Sequence, residues 1–371
     1  MLRLLQYSTR IASSGAAQIP EYPVYIENGF KKLKAAAEAA GIKDRRVIII
    51  ADSVSGPLYA ERVKNELAGS NNVSFIFFEA GERNKNLNTC GYLYEKLADE
   101  RADRKCVVAS LGGGVAGDLA GFTAATYMRG LNYFHIPLSL TAMLDSSIGG
   151  KVGTDHHGIK NLVGLFYDPL FVYMNAGALG TLPRAEFNSG LAEAIKHGLA
   201  ADAGYYSFVT DNIDAIRSLD SGALYELIDG SRKIKQKIVS ADRTDTGNRR
   251  VLNFGHTFGH ALESRCGFSP PHGACVAAGI KAAMYLSRKR GDISSEELEK
   301  YETLAASLTE GLDFTGVKPD EILQKMRSDK KTDGGKINLV LLKKIGLAYV
   351  TDAVPENDIK EAAGYMLAAK G

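Results

Sequence analysis

Three histidines fall within seventeen positions of this chain, His256 and His260 in Asn253-Phe254-Gly255-His256-Thr257-Phe258-Gly259-His260 and His272 in Pro271-His272-Gly273. Residues four apart share one face of a helix, and a Gly/Pro-rich turn can fold the third imidazole back toward the first two. That is the spacing of a divalent-metal site. A lone buried histidine is ordinarily a satisfied core residue, but three of the seven histidines gathered this closely favour a site. An ion of the zinc type also takes a carboxylate. Glu193, in Gly190-Leu191-Ala192-Glu193-Ala194-Ile195-Lys196, sits beside an apolar stripe of Leu191, Ala194, Ile195 and Leu199. A charge there needs a metal or a cationic partner.

A second set of residues suits anions. Asp145-Ser146-Ser147-Ile148-Gly149-Gly150-Lys151, with Asp155, Lys160 and Asn161 close behind, is small and polar and follows a strand-like run, as a phosphate cradle of backbone donors and a lysine would. Arg129, Lys151, Lys160, Lys196, Lys235, Arg249, Lys330 and Lys331 are scattered cations, each unremarkable alone as a solvated surface charge. Leu111-Gly112-Gly113-Gly114-Val115-Ala116-Gly117-Asp118 follows a buried strand and opens a helix, where glycines let backbone N–H groups approach a pyrophosphate. It departs from GxGxxG and could equally be a tight strand-to-helix turn. Asp52, at the end of an earlier strand, could accept from ribose hydroxyls or cap the next helix.

The elements that must position these groups change character midway. Val47–Ile50, Val73–Phe78, Cys106–Ala109 and Tyr133–Ile136 are short, continuous apolar runs alternating with helical patterns, as a parallel sheet buried on both faces requires. Beyond Gly177, Gly180 and Pro183 long helical periodicities take over, including Val276–Leu286 and Glu297–Leu308, with one late strand-like run at Ile337–Leu342 and a final helix from about Pro355. The expected architecture is an α/β dinucleotide-binding domain with a parallel sheet over residues 1–176, joined to a mainly α-helical metal- and substrate-binding domain over residues 177–371.

Composition narrows the class. A chain of 371 residues, 45% hydrophobic, has the size of a two-domain enzyme, and a formal charge of +2 gives no field to steer it to nucleic acid or membrane. No apolar run is long enough to span a bilayer. Cys90, Cys106, Cys266 and Cys275 form no CxxC pair, so free thiols in a reducing compartment, the cytoplasm, are expected. The first twenty residues carry Arg3 and Arg10 and no acid, which overlaps with transit-peptide composition; a strand pair, Arg3–Tyr7 with Tyr22–Ile26, is the preferred reading.

In the order and spacing of these motifs, from Tyr22-Pro23-Val24-Tyr25-Ile26 to Asp329-Lys330-Lys331, the sequence resembles the 3-dehydroquinate synthases. The resemblance implies a phosphorus–oxygen lyase of the shikimate pathway and aromatic amino-acid biosynthesis. Such an enzyme converts 3-deoxy-D-arabino-heptulosonate 7-phosphate to 3-dehydroquinate and phosphate by transient oxidation with NAD, β-elimination, reduction and intramolecular aldol closure. It also implies a homodimer. By similarity, Glu193, His256 and His272 hold zinc or cobalt; NAD contacts Asp52, Glu82, Lys85, Gly113, Gly114, Asp118, Ser139, Lys160 and Thr181. Arg129, Asn161, Lys196 and Lys330 or Lys331 contact substrate, while His260, Asp245, Lys151, Asp145, Lys235, Arg249 and Asn253 serve catalysis. Asp245 stands where the family usually has Glu, Ala274 follows His272-Gly273 where Glu is common, Leu138-Ser139 replaces a Thr-Thr pair, and Ser189 replaces an Asn. The rival readings are another sugar-phosphate cyclase of the 2-deoxy-scyllo-inosose or epi-valiolone type, a metal-dependent glycerol or alcohol dehydrogenase, and a catalytically silent binding protein on the same fold.

Overall fold

The computed structural model describes residues 22–69, 71–314, 316–329 and 336–368. The first eight strands are β1 (Val24–Glu27), β2 (Val47–Asp52), β3 (Val73–Phe78), β4 (Val107–Gly112), β5 (Asn132–Pro137), β6 (Lys151–His156), β7 (Ile159–Phe166) and β8 (Val172–Asn175). Six of them form a parallel sheet in the order β1-β8-β5-β4-β2-β3. Strand alternation sends Val47, Ile49 and Ala51 to one face, against α1 (Leu33–Ala39) and α2 (Ser55–Leu67). Ile48 and Ile50 go to the other face, against α3 (Leu87–Asp99) and α4 (Gly114–Thr126). Both faces are covered, which is why these strands read as unbroken apolar runs.

After the sheet come α5 (Arg184–Ala201), α6 (Ala203–Asp211), α7 (Ile213–Arg217), α8 (Ser221–Ala241), α9 (His256–Arg265), α10 (His272–Lys289), α11 (Ser295–Leu308), α12 (Pro319–Asp329) and α13 (Glu356–Leu367). An antiparallel pair, β9 (Leu339–Lys344) and β10 (Leu347–Thr351), interrupts them. Helix α10 packs against α5, α9, α11 and α13, and a single apolar core runs through this half into Val172 and Met174 of β8. None of the helices among the described residues is long and apolar enough to cross a membrane, and the four cysteines are free thiols.

Three expectations need correction. Helix α5 carries no single stripe; it is buried on every side from Phe187 to Ala200, so Glu193, Lys196 and His197 all lie in the interior. The segment offered as a phosphate cradle carries regular structure that its small, polar sequence did not indicate: a five-residue π-helix, Ala142–Ser146, leads to the β6–β7 hairpin, with Lys151 opening β6 and Lys160 and Asn161 on β7. The late strand lies two residues further on than its apolar run suggests and has a partner, β10, that the sequence did not announce. The proposed strand at Arg3–Tyr7 lies outside the described residues; the segment proposed to pair with it contributes β1.

Candidate active site

The sheet's strand order reverses between β2 and β4, which opens a crevice beyond their carboxyl ends where an open α/β sheet binds its ligand. Asp52 closes β2, and Gly113 precedes α4 without a side-chain cap, leaving that helix N-terminus open to an anion. The two ends are close, since a Cβ added to Gly112 would lie 2.8 Å from Asp52 Oδ2. Asp52 is also a helix cap, its Oδ1 accepting from the Val54 and Ser55 N–H groups at 3.0 and 2.7 Å. Ser139 Oγ lies 3.4 Å from where a Gly113 Cβ would stand, and the Thr181 hydroxyl bonds to that of Tyr59 at 2.6 Å.

On the rim of this crevice Lys85 is buried, paired with Asp118 at 2.6 Å and donating to Asn161 Oδ1 at 2.5 Å. Burial pulls its ammonium down, but Asp118 and Glu82 outweigh it and its pKa is raised. Asn161, expected on the substrate, thus has its side-chain oxygen on Lys85, a residue expected on the dinucleotide. Lys160 bridges Glu82 at 3.2 Å and Glu263 at 2.7 Å.

Glu263 leads to the histidines. His256 and His272 are the first residues of α9 and α10, and His260 lies one turn along α9. Gly273 lets the start of α10 lie directly on α5: a Cβ there would collide with the Ser189 backbone. The ligand atoms of His256, His260 and His272 come within 4.8 Å of one another, and Glu193 Oε1 faces Nε2 of His256 at 3.7 Å and Nε2 of His272 at 3.6 Å. That oxygen is buried without a hydrogen-bond donor. His256 Nδ1 is 3.3 Å from the Phe254 carbonyl and His272 Nδ1 is 3.2 Å from Glu263 Oε2, so both rings have their Nε2 lone pairs turned to the centre. No such anchor orients His260 among the described residues. The surroundings do not treat the three imidazoles alike: burial and Lys196 lower His256 to about 4 and burial holds His260 well below its usual value, whereas at His272 Glu193 and Glu263 outweigh burial and push it up to about 9. The donor set of Glu193, His256 and His272 therefore fits a divalent ion of the zinc type.

Asp145, Glu193 and His197 also bring ligand atoms within 4.8 Å of one another, but cations already serve them. Lys196 pairs with Glu193 Oε2 and Lys235 with Asp145 Oδ1, each at 2.5 Å. His197 Nδ1 meets Ser231 Oγ at 2.7 Å and its Nε2 faces Asp145 at 3.6 Å. Burial would raise the Asp145 carboxyl, yet Lys235, Lys196 and His197 hold it well below the usual range.

Lys235 shows the reverse balance: burial, helped by Arg249 and Lys196, overcomes Asp145 and lowers its ammonium to about 8. If that ammonium binds an anionic substrate, kcat/KM falls as pH rises through about 8, and Lys235→Arg moves the fall to higher pH; a flat profile to pH 9.5, an interval chosen to span about 1.5 units above this pKa, counts against the role. The titration of Lys235 does not itself unfold the protein, because a lysine whose folded pKa is depressed adds stability as pH climbs from that value toward 10.5.

Arg249 is buried, reaching the Gly149 carbonyl at 3.4 Å and the Arg243 carbonyl at 2.7 Å. Gly149 has φ +101°, and a Cβ on it would stand 2.5 Å from the Arg249 guanidinium, so both conformation and space require glycine. Lys151 pairs with Asp245, tying the hairpin to the loop before α9, and Asn253 is exposed at the end of that loop. Arg129 is not brought to this group: it is exposed after α4, at the edge where β4 and β5 begin, whereas the site lies beyond their ends. Lys330 and Lys331 lie outside the described residues. Sequence reasoning missed Glu263, although His256, His260 and Glu263 have the i, i+4, i+7 spacing of one helix face. It also missed His197, a polar residue inside an apolar helix.

Family models described as 3-dehydroquinate synthase N-terminal and 3-dehydroquinate synthase C-terminal match residues 75–189 and 190–332. The 3-dehydroquinate synthase of Pseudomonas fluorescens (strain Pf0-1) is 40% identical over 349 residues, covering 92% of this chain and 94% of that protein. Among solved structures, 2-epi-5-epi-valiolone synthase from Streptomyces hygroscopicus subsp. jinggangensis 5008, with NAD+ and Zn2+ bound, superposes with a TM-score of 0.85 at 23% identity, covering 96% of this chain and 99% of that one. A 2-deoxy-scyllo-inosose synthase complexed with carbaglucose-6-phosphate, NAD+ and Co2+ gives 0.83 at 22% identity, covering 92% and 95%. At that identity these two show a shared fold.

Proposed function

Because this chain belongs to the 3-dehydroquinate synthase family, we propose that Glu193, His256 and His272 hold its divalent metal and that the crevice between β2 and β4 holds its NAD. Its activity is the family's, conversion of 3-deoxy-D-arabino-heptulosonate 7-phosphate to 3-dehydroquinate and phosphate. The observation that carries the metal assignment is the buried, donorless Glu193 Oε1 facing two imidazole nitrogens whose opposite nitrogens are both anchored. When bound, the ion acidifies substrate hydroxyls and NAD takes up and returns a hydride, so neither is consumed.

The chain's own contribution is placement and proton handling. Asp52 and the open N-terminus of α4 receive the dinucleotide, with Lys85, Lys160 and Glu82 on its rim. Lys196, Lys235 and Arg249 supply buried positive charge for the substrate's carboxylate and phosphate, and Lys151 adds an ammonium at the mouth. Glu193 and Asp145 hold Lys196 and Lys235 in place and share the cost of their burial, and Asp245 holds the half-exposed Lys151. His260, unanchored beside the ligands, is free to exchange a proton, and Asp245 is the second proton-handling group. Holding one flexible phosphorylated chain on this many points favours conformers close to reaction.

We divide the chain into a cofactor domain over residues 1–176 and a metal and substrate domain over residues 177–371, in keeping with the sheet's last strand ending at Asn175. A cytoplasmic homodimer is the setting inferred from the family. The decisive measurement is phosphate release from 3-deoxy-D-arabino-heptulosonate 7-phosphate with catalytic NAD. Release that is abolished by chelation, restored by zinc or cobalt and unaccompanied by net NADH is expected. Metal-independent release, or stoichiometric NADH, would refute the assignment.

A further inference from the structure

Glu263 is buried on the helix that carries His256 and His260, and each of its oxygens is committed. Oε2 lies 3.2 Å from His272 Nδ1, and Oε1 takes the Lys160 ammonium at 2.7 Å. A neutral imidazole whose Nδ1–H donates to a carboxylate presents the lone pair of Nε2, the form a metal ligand must take, and in His272 that nitrogen faces Glu193 Oε1 at 3.6 Å. Lys160 is held from its other side by Glu82 at 3.2 Å and lies 5.3 Å from the centre of the Phe268 ring, so it is a fixed cation. It also sits on β7, beside Asn161, whose side chain accepts from Lys85 in the cofactor-side cluster. One carboxylate thus connects a strand of the β6–β7 hairpin to a ring at the metal pocket.

We propose that Glu263 is a positioning residue of the metal centre, fixing the tautomer and orientation of His272 while Lys160 fixes Glu263, so that the cofactor-side hairpin sets the geometry of a metal ligand. This rests on the assignment of His272 as a ligand. Glutamine at 263 keeps the size of the side chain but loses the charge, and can accept from His272 or from Lys160, not serve both as a carboxylate does.

Glu263→Gln is expected to weaken zinc and cobalt about 10- to 100-fold in chelator competition without NAD, and to shift the visible absorption of the cobalt protein. Lys160→Met, nearer the surface, should weaken the ion in the same direction and decides the matter if Glu263→Gln does not fold. Wild-type affinity and an unchanged cobalt spectrum in whichever of these variants folds, with His272→Ala losing the ion, overturns the role of Glu263 alone. Retention of the ion by His272→Ala overturns the ligand assignment itself.

Discussion

His256→Ala is expected to lose bound metal and turnover together. The His256 ring supplies one of two imidazole nitrogens that face Glu193 Oε1, and its opposite nitrogen is held by the Phe254 carbonyl, so nothing nearby is oriented to replace it in the same geometry. His260 is close, with ring centroids 5.1 Å apart, but lacks an anchor among the described residues. Removing the ion forfeits several kcal/mol of charge stabilisation, which corresponds to a fall of at least about a thousandfold in turnover. Metal content by elemental analysis and phosphate release on the same preparation test this. His260→Ala is the informative companion, because a proton-handling group can be removed with the ion still bound. Metal retained by His256→Ala and lost by His260→Ala would exchange the two roles.

The parts of this site that were legible in sequence are those set by local period and spacing. Strands β2, β3, β4 and β5 could be placed because a strand covered on both faces has no polar alternation to obscure it, and His256, His260 and His272 because four residues make one helical turn, whereas β8 was not anticipated. The three-dimensional consequences of chain return were not legible. Arg129 is as cationic as Lys235 in sequence, but α4 carries the chain back across the sheet and leaves Arg129 at the edge away from the crevice. The β6–β7 hairpin was hidden because its β7 strand exposes Ile159, Leu162, Leu165 and Phe166 instead of alternating cleanly between core and solvent. Glu263 was one of 43 acidic residues until folding placed Lys160, more than a hundred positions earlier, against it. Burial of α5 on all sides was likewise invisible, since Glu193, Lys196 and His197 give it the composition of a half-exposed helix.

Those three residues make α5 the place where stability and chemistry are hardest to separate, and Glu193→Ala should show both. The Lys196 side chain is 2% exposed and its ammonium pairs with Glu193 Oε2 at 2.5 Å. Burial depresses that ammonium, but Glu193 and Asp145 outweigh it and its pKa is raised, so the folded protein keeps it charged. Removing the carboxylate strands that charge in the interior, at a cost of about 3–5 kcal/mol in addition to loss of the metal. Measured in chelator, where bound metal cannot contribute, Glu193→Ala should unfold at markedly lower temperature or denaturant than the wild type. Adding Lys196→Met removes the stranded charge and should recover much of the stability while metal binding stays lost, because the apolar chain needs no counterion. A single variant as stable as the wild type in chelator would mean that Asp145 suffices for Lys196. A double variant no more stable than the single one would mean that packing around α5, and not the ion pair, sets the loss.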